Sequence, residues 1–214
     1  MRATLIAVVG AALMVSACQK QDVSTPSSDA AEKIADVASW RSVATERDRD
    51  RLRGWYSSWQ AALNDAKSKG EGANISAEGN LLSPSAALEN PDLPAGEYRC
   101  RTLKIGTQGR NTLGFVAYDW FRCRVEDAEH GKLLIKLTGS QRPSGRIFAD
   151  GYNRAIFLGT MALSDERTAI PYGSDRMRDM AGIVERIGDK QWRLVLPSPA
   201  FESLLDVMEI IPNS

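Results

Sequence analysis

The chain has 214 residues, 43% hydrophobic and 25% charged, the proportions of a globular protein rather than a disordered or fibrous one. Its 27 lysines and arginines balance 27 aspartates and glutamates, so the net charge is zero and no basic excess points to nucleic acid. Three cysteines and one histidine match no zinc spacing, and neither a metal nor another cofactor is expected.

Arg2 precedes an apolar run from Leu5 to Val15 and the small residues Ser16 and Ala17, the layout of a secretory signal. The run is too short to span a membrane, which takes about 20 apolar residues. Val15-Ser16-Ala17-Cys18 resembles the lipobox of bacterial lipoproteins. That resemblance implies cleavage before Cys18, diacylation of its sulfur and acylation of its amine. Residues 1–17 are then the signal peptide, and 197 of the 214 residues remain after its removal (214 − 17). At about 0.8 kcal/mol per buried methylene, several acyl chains on one residue hold a protein stably on a membrane. Gln19, where aspartate would retain a lipoprotein in the inner membrane, implies the outer membrane, facing the periplasm. Residues 19–38 are rich in Ser, Asp, Ala, Gln and Lys, with Pro26, and cannot bury enough surface to order themselves. The lipidated cysteine and a flexible tether are therefore expected over 18–44.

Thr45 opens a helix. Leu52, Trp55, Tyr56, Trp59, Ala62, Leu63 and Ala66 recur at three- and four-residue spacings and share one face. Glu46 and Asp48 suit the first turn, Lys67 and Lys69 the last, and Gly70 the position after it. The aromatic stripe predicts a helix docked on a hydrophobic surface. Residues 70–95 carry Gly70, Gly72, Gly79, Pro84, Pro91 and Pro94 and read as a connector, with one helical turn over Ser85–Leu88.

From Gly96 onward the texture is that of strands, placed at 97–105, 114–125, 132–138, 143–149, 153–162, 181–187, 191–197 and 205–211. Their separators are turn residues such as Gly139-Ser140, Asp150-Gly151 and Gly188-Asp189-Lys190. Eight strands joined by tight turns suit a mainly β (α+β) domain over 45–212. The expected form is a small eight-stranded up-and-down antiparallel barrel, or a strongly curved sheet, with one amphipathic N-terminal helix packed on it. With Cys18 assigned to lipid, Cys100 and Cys123 remain, and in an exported chain they read as a disulfide. The loop closed is about 24 residues long, worth about 3 kcal/mol by chain entropy.

The stretches Gly96–Arg101, Leu137–Phe148, Met180–Gly188 and Trp192–Pro212 resemble an uncharacterised family of alphaproteobacterial exported proteins, defined only as a domain of unknown function. The likeness covers about residues 45–212 and implies one domain but no catalytic residues.

Chemistry is sparse. His130, the one histidine, sits in Asp127-Ala128-Glu129-His130-Gly131, a hairpin turn, and no serine lies in a nucleophile elbow. No phosphate loop, dinucleotide-binding glycine pattern or calcium loop is present. The distinctive constellation is basic. If Cys100 faces Cys123, then Arg101 opposes Arg122, Arg99 opposes Arg124 and Leu103 opposes Trp120, all on the face away from the disulfide. Like charges in register need acids, water or an anion, so Arg99, Arg101, Arg122, Arg124 and Trp120 are a candidate site for an anion or an acidic partner. Residues 163–180 are a long excursion that would offer Tyr172, Arg176, Met177 and Arg178 as a lid over a barrel mouth.

These readings favour a non-enzymatic envelope lipoprotein. It would bind the membrane through its lipid and a protein partner or small anionic ligand through its barrel, and would not bind nucleic acid. The alternative is a hydrolase acting on envelope material through a carboxylate pair drawn from Glu185, Glu202 and Asp206.

Overall fold

The structure, a computed structural model, describes residues 39–109 and 113–213. The signal peptide, Cys18, Gln19 and the stretch 19–38 lie outside the described residues. Among the described residues four helices come first: α1 (Trp40–Val43), α2 (Glu46–Arg53), α3 (Trp55–Ser68) and α4 (Gly72–Ala77), followed by a 3₁₀ turn over Gly79–Leu82. Nine strands follow: β1 (Gly96–Ile105), β2 (Phe115–Ala117), β3 (Phe121–Ala128), β4 (Gly131–Lys136), β5 (Gln141–Ala149), β6 (Ala155–Leu163), β7 (Asp179–Gly188), β8 (Gln191–Pro197) and β9 (Leu205–Pro212). Strands β1 and β3–β9 pair antiparallel with their neighbours, and β9 pairs back onto β1. The result is a closed eight-stranded barrel with β2 as an extra strand on β1.

Several sequence expectations change in detail. The first described helix starts at Trp40, and Ala44 is buried, so residues 40–44 belong to the folded domain. Thr45 does cap α2: its hydroxyl accepts from the Asp48 amide at 3.2 Å and donates to the Asp48 carboxylate at 2.9 Å. The single helix is broken at Gly54, where the chain turns between α2 and α3, and Tyr56 is left 53% exposed. Gly70, at φ +87°, ends α3 in a Schellman motif, with Gly70 N–H on the Lys67 carbonyl and Glu71 N–H on that of Ala66. Helical turns in the connector fall at 72–77 and 79–82, not at Ser85–Leu88, where Leu88 instead bridges to Arg186. The strand expected over 114–125 is two strands on the same edge of β1, interrupted at Tyr118–Trp120.

The disulfide is present, with Cα atoms 5.9 Å apart. Its register differs from a face-to-face pair. Cys100 lies opposite Phe121 and Cys123 opposite Tyr98, so the bond runs diagonally. Arg99 therefore opposes Arg122, and Leu103 opposes Ala117 rather than Trp120.

The barrel is not a hollow tube. Phe157 is fully buried, and its ring lies over the registered pair Gly145 and Gly159. A Cβ on either glycine would come within 2.7 Å of the ring, so both positions must lack a side chain. Below the ring, Cys100, Cys123, Val125, Leu134, Trp192 and Ile210 fill the interior. Leu93 seals that end, and Trp192 and Tyr98 donate hydrogen bonds to the carbonyls of Asp92 and Pro94 at 2.9 and 2.7 Å.

A second core lies outside the barrel, where α2–α4 and the 3₁₀ turn cover β6–β9 and part of β1. Those strands are buried on both faces, hence their near-continuous apolar runs, whereas β3–β5 alternate. The two layers are joined by Arg193 of β8, which is 0% exposed. Its Nη1 donates to the carbonyls of Asn80, Leu81 and Ser83 at 2.7–3.0 Å, its Nε donates to Glu185 at 2.7 Å, and its guanidinium lies 4.6 Å from the Trp59 ring centroid. Replacing Arg193 with alanine leaves Glu185 buried and uncompensated and is expected to cost about 3–5 kcal/mol in urea unfolding. Arg193→Met combined with Glu185→Leu removes both charges, but three carbonyls still lose their donor, so the double variant should remain destabilised. Wild-type stability in the double variant would show that the carbonyl contacts contribute nothing.

Candidate functional site

The arginine face is corrected by its neighbours. Arg99, Arg101, Arg122 and Arg124 do share the outer face of β1 and β3, but acids meet most of them. Arg101 reaches Glu78 at 2.5 Å and Glu209 at 2.6 Å. Arg122 and Arg124 lie 3.8 and 4.0 Å from Glu97, and Arg124 is also 2.7 Å from Glu126. Arg99 and Arg101 flank Trp120 at 5.1 and 5.4 Å from its ring. The acids that meet Arg101 are distant in sequence: Glu78 comes from the helical layer and Glu209 from β9. Arg101 is thus held within a structural network, whereas Arg99 has only the Trp120 ring and Arg122 only its 3.8 Å approach to Glu97.

The open end of the barrel is different. Strand ends from around the circumference bring Lys104, Lys136, Gln141, Met161, Met180, Leu196 and Asp206 together above Phe157. A cavity of about 240 Å³ opens there and continues into a smaller one of about 90 Å³ that shares those residues, except Lys136, which lines only the smaller part. The loop between β6 and β7 forms one wall with Met177 and Arg178, as the lid reading expected. Phe201, 54% exposed, stands at the opposite rim. Tyr172 and Arg176 do not line this cavity. The Tyr172 hydroxyl donates to Asp48 at 2.6 Å and accepts from the Thr45 amide, while the Arg176 carbonyl accepts from Arg47. These bonds tie the loop to α2. Burial and the bond to Asp48 push the Tyr172 hydroxyl up to about 12.

The mouth holds two lysines in unlike states. Lys104 lies opposite Asp206 in the β1–β9 ladder, and its Nζ is 3.2 Å from Asp206 and 3.1 Å from Glu202. Burial works against the charge on Lys104, yet Asp206 and Glu202 together carry its pKa above the ordinary value. Burial likewise pushes the Asp206 carboxyl up, opposed by Lys104 and by the hydroxyl of Ser203, which donates to it. Lys136 is 6% exposed and has no carboxylate at ion-pair distance; its Nζ lies 3.8 Å from the centroid of the Phe121 ring. Burial, with the charges of Lys104 and Arg142 nearby, pulls its pKa down from 10.5 to about 8. Among the described residues no group of three His, Cys, Asp or Glu is placed to hold a metal ion. His130 sits in the turn between β3 and β4, and Glu185 is bonded to Arg193 outside the barrel.

Residues 40–210 match the family described as Domain of unknown function (DUF4893). The chain belongs to that family. No curated protein and no solved structure matches it. In this DUF4893 domain the matched stretch takes in the helical layer, the sealed end and nearly all of β9.

The state of Lys136 has a consequence for stability. Between pH 8 and 10.5 the unfolded chain keeps the lysine proton while the folded domain releases it, so stability rises with pH across that window. Below pH 8 the cost of the buried charge is present in full, on the order of 3 kcal/mol. Lys136→Met is therefore expected to stabilise the domain at pH 7 by about 1–3 kcal/mol and to flatten the rise. Urea midpoints for both chains at pH 7 and 10 check this. Parallel pH profiles would show that the amine is solvated.

Proposed function

We propose that the protein is a lipid-anchored envelope protein of the alphaproteobacterial type, non-enzymatic, whose barrel mouth binds a small amphipathic anion. The observation that carries the binding reading is the unpaired ammonium of Lys136, facing an apolar cavity on the same barrel wall as Lys104. A bare charge in such surroundings is costly, and an anionic group placed beside it offsets that cost. Met161, Met180, Leu196 and Phe201 offer the ligand's body an apolar bed. Four of the chain's six methionines, Met161, Met177, Met180 and Met208, line this end. Their unbranched side chains adapt to ligands of different outline. The size of the cavity suits a short acyl or aryl acid. Because Phe157 blocks the barrel below it, such a ligand lies at the mouth and does not pass through.

The alternative, a hydrolase, would use Glu202 and Asp206, both of which meet on the Lys104 ammonium. That shared contact favours fixed acceptors over an acid and a base of separate pKa.

Octanoate tests the mouth. Calorimetric titration should show saturable binding at least tenfold tighter than that of octanol, a difference of about 1.4 kcal/mol. Lys136→Met should remove the preference in a domain that still unfolds cooperatively, at a raised midpoint. Equal affinities for acid and alcohol, or unchanged binding by the variant, would sink the reading.

The anchor rests on the lipobox and is tested separately. Cys18→Ala should abolish incorporation of labelled palmitate and shift the protein out of the detergent-extracted membrane fraction. Continued labelling would place the acyl group elsewhere.

A further inference from the structure

A second hollow, of about 420 Å³, lies away from the mouth, where α1 and α2 meet β6 and β7. Its floor is apolar: Leu52, Ile156 and Ile183 are 6%, 2% and 1% exposed. Trp40 and Trp55 line it, together with four arginines, Arg41, Arg49, Arg53 and Arg154. One carboxylate faces them from the lining. Asp150, with a side chain only 4% exposed, accepts from Trp40 Nε1 at 2.6 Å, Arg41 at 3.1 Å and Arg154 at 3.1 Å. It is thus fully engaged and pins those three side chains in place. Arg49 donates to the carbonyls of Ala44 and Arg41, and no carboxylate is paired with it. Arg53 pairs with Asp50 in solvent, where such a pair is weak and readily exchanged. Four guanidiniums thus meet two carboxylates, and the excess is two positive charges at an aromatic-walled hollow.

We infer that this hollow is a phosphate-binding site, its ligand a phosphate group carried on a small apolar or glycerol body. Guanidinium is suited to phosphate because its paired N–H groups match two oxygens at once. Asp150 supplies the preorganisation, since it holds Arg41 and Arg154 without occupying their outward N–H groups. Tryptophan beside arginine also fits a headgroup layer, where an indole keeps its apolar body and N–H in unlike surroundings. Trp40 is 22 residues beyond Cys18 (40 − 18). A chain of that length spans at most about 75 Å, so on the lipid-anchor reading the hollow stays within reach of the bilayer. An anionic phospholipid and a free phosphate ester share the recognised chemistry, and the experiment separates them.

The chain from Gln19 to Ser214, which keeps the compact unit Val37–Ser214 whole and has neither signal nor lipid, is used throughout. In one arm it is sedimented with phosphatidylcholine vesicles, with and without phosphatidylglycerol. In the other, glycerol phosphate is titrated while tryptophan fluorescence is followed. The comparison chain is Arg41→Gln with Arg53→Gln, both exposed positions; Asp150 keeps Trp40 and Arg154, and an unchanged thermal midpoint confirms the fold. The expected result is salt-sensitive binding in at least one arm, weakened about tenfold or more in the double variant. Binding to the phosphatidylglycerol vesicles assigns the headgroup, and saturation by glycerol phosphate alone assigns a free ester. No binding in either arm, equal binding to both vesicle types with no response to glycerol phosphate, or equal binding by the double variant overturns the site.

Discussion

The structure depends on one buried cation. Arg193 stands where the helical layer meets the barrel wall, and no water reaches it. Its Nη1 and Nε satisfy what that interface would otherwise leave open: three carbonyls around the 3₁₀ turn and the carboxylate of Glu185. Burial pulls Arg193 down and pushes Glu185 up, so each charge persists because the other is there. The pair is a poor source of net stability, since desolvation consumes most of its attraction. What it provides is position. The 3₁₀ turn lies flat against β8 because its carbonyls have one place to point, and Trp59 settles over the guanidinium.

From that junction the asymmetry of the barrel follows. The helices cover β6–β9, so these strands carry apolar side chains on both faces, and their inward residues are large enough to fill the lower barrel with Phe157 and Trp192. The connector that leaves the 3₁₀ turn then runs beneath the barrel, and Leu93 closes it. One end is sealed by a segment whose path the Arg193 contacts begin. The other end has no such cover, and the loop between β6 and β7 only walls it, held by Tyr172 to Asp48 and by Arg178 to Glu166 at 2.6 Å.

Much of this was legible in the chain, and the parts that were not share a cause. Thr45 with Asp48, the Trp59 to Ala66 stripe and the turn residues between strands are local signals, and each marks an element the structure contains. The break at Gly54 was missed because the apolar spacing continues across it, while the helices at 72–77 and 79–82 are too short to show a period. Register failed for a different reason. Two cysteines fix that two strands are adjacent, but a disulfide bridges diagonal positions as readily as facing ones, and Cys100 faces Phe121. The lysines of the mouth were not legible because Lys104, Lys136 and Asp206 come from three strands far apart in sequence. Their meeting is a product of closure. Besides the long loop over 163–180, a compositional signal was available: every methionine after residue 14 falls in 161–208 and lines the same end.

The distribution of unpaired charge is the last step. Among the described residues the buried cations other than Lys136 are met by acids: Arg51 by Asp48, Lys104 by Asp206 and Glu202, Arg193 by Glu185. Against that background Lys136 stands apart with only an aromatic face, while Arg49, like Arg142 and Arg186, has only backbone carbonyls. An apolar residue in place of Lys136 would cost the fold less than the charge does. Lys136 and Arg49 both lie in concave surfaces lined by methionine or tryptophan, one at the barrel mouth and one at its flank. A cation kept at a cost to stability, in a hollow with apolar walls, is the arrangement in which an anion from outside the chain completes the electrostatics that the fold leaves unfinished.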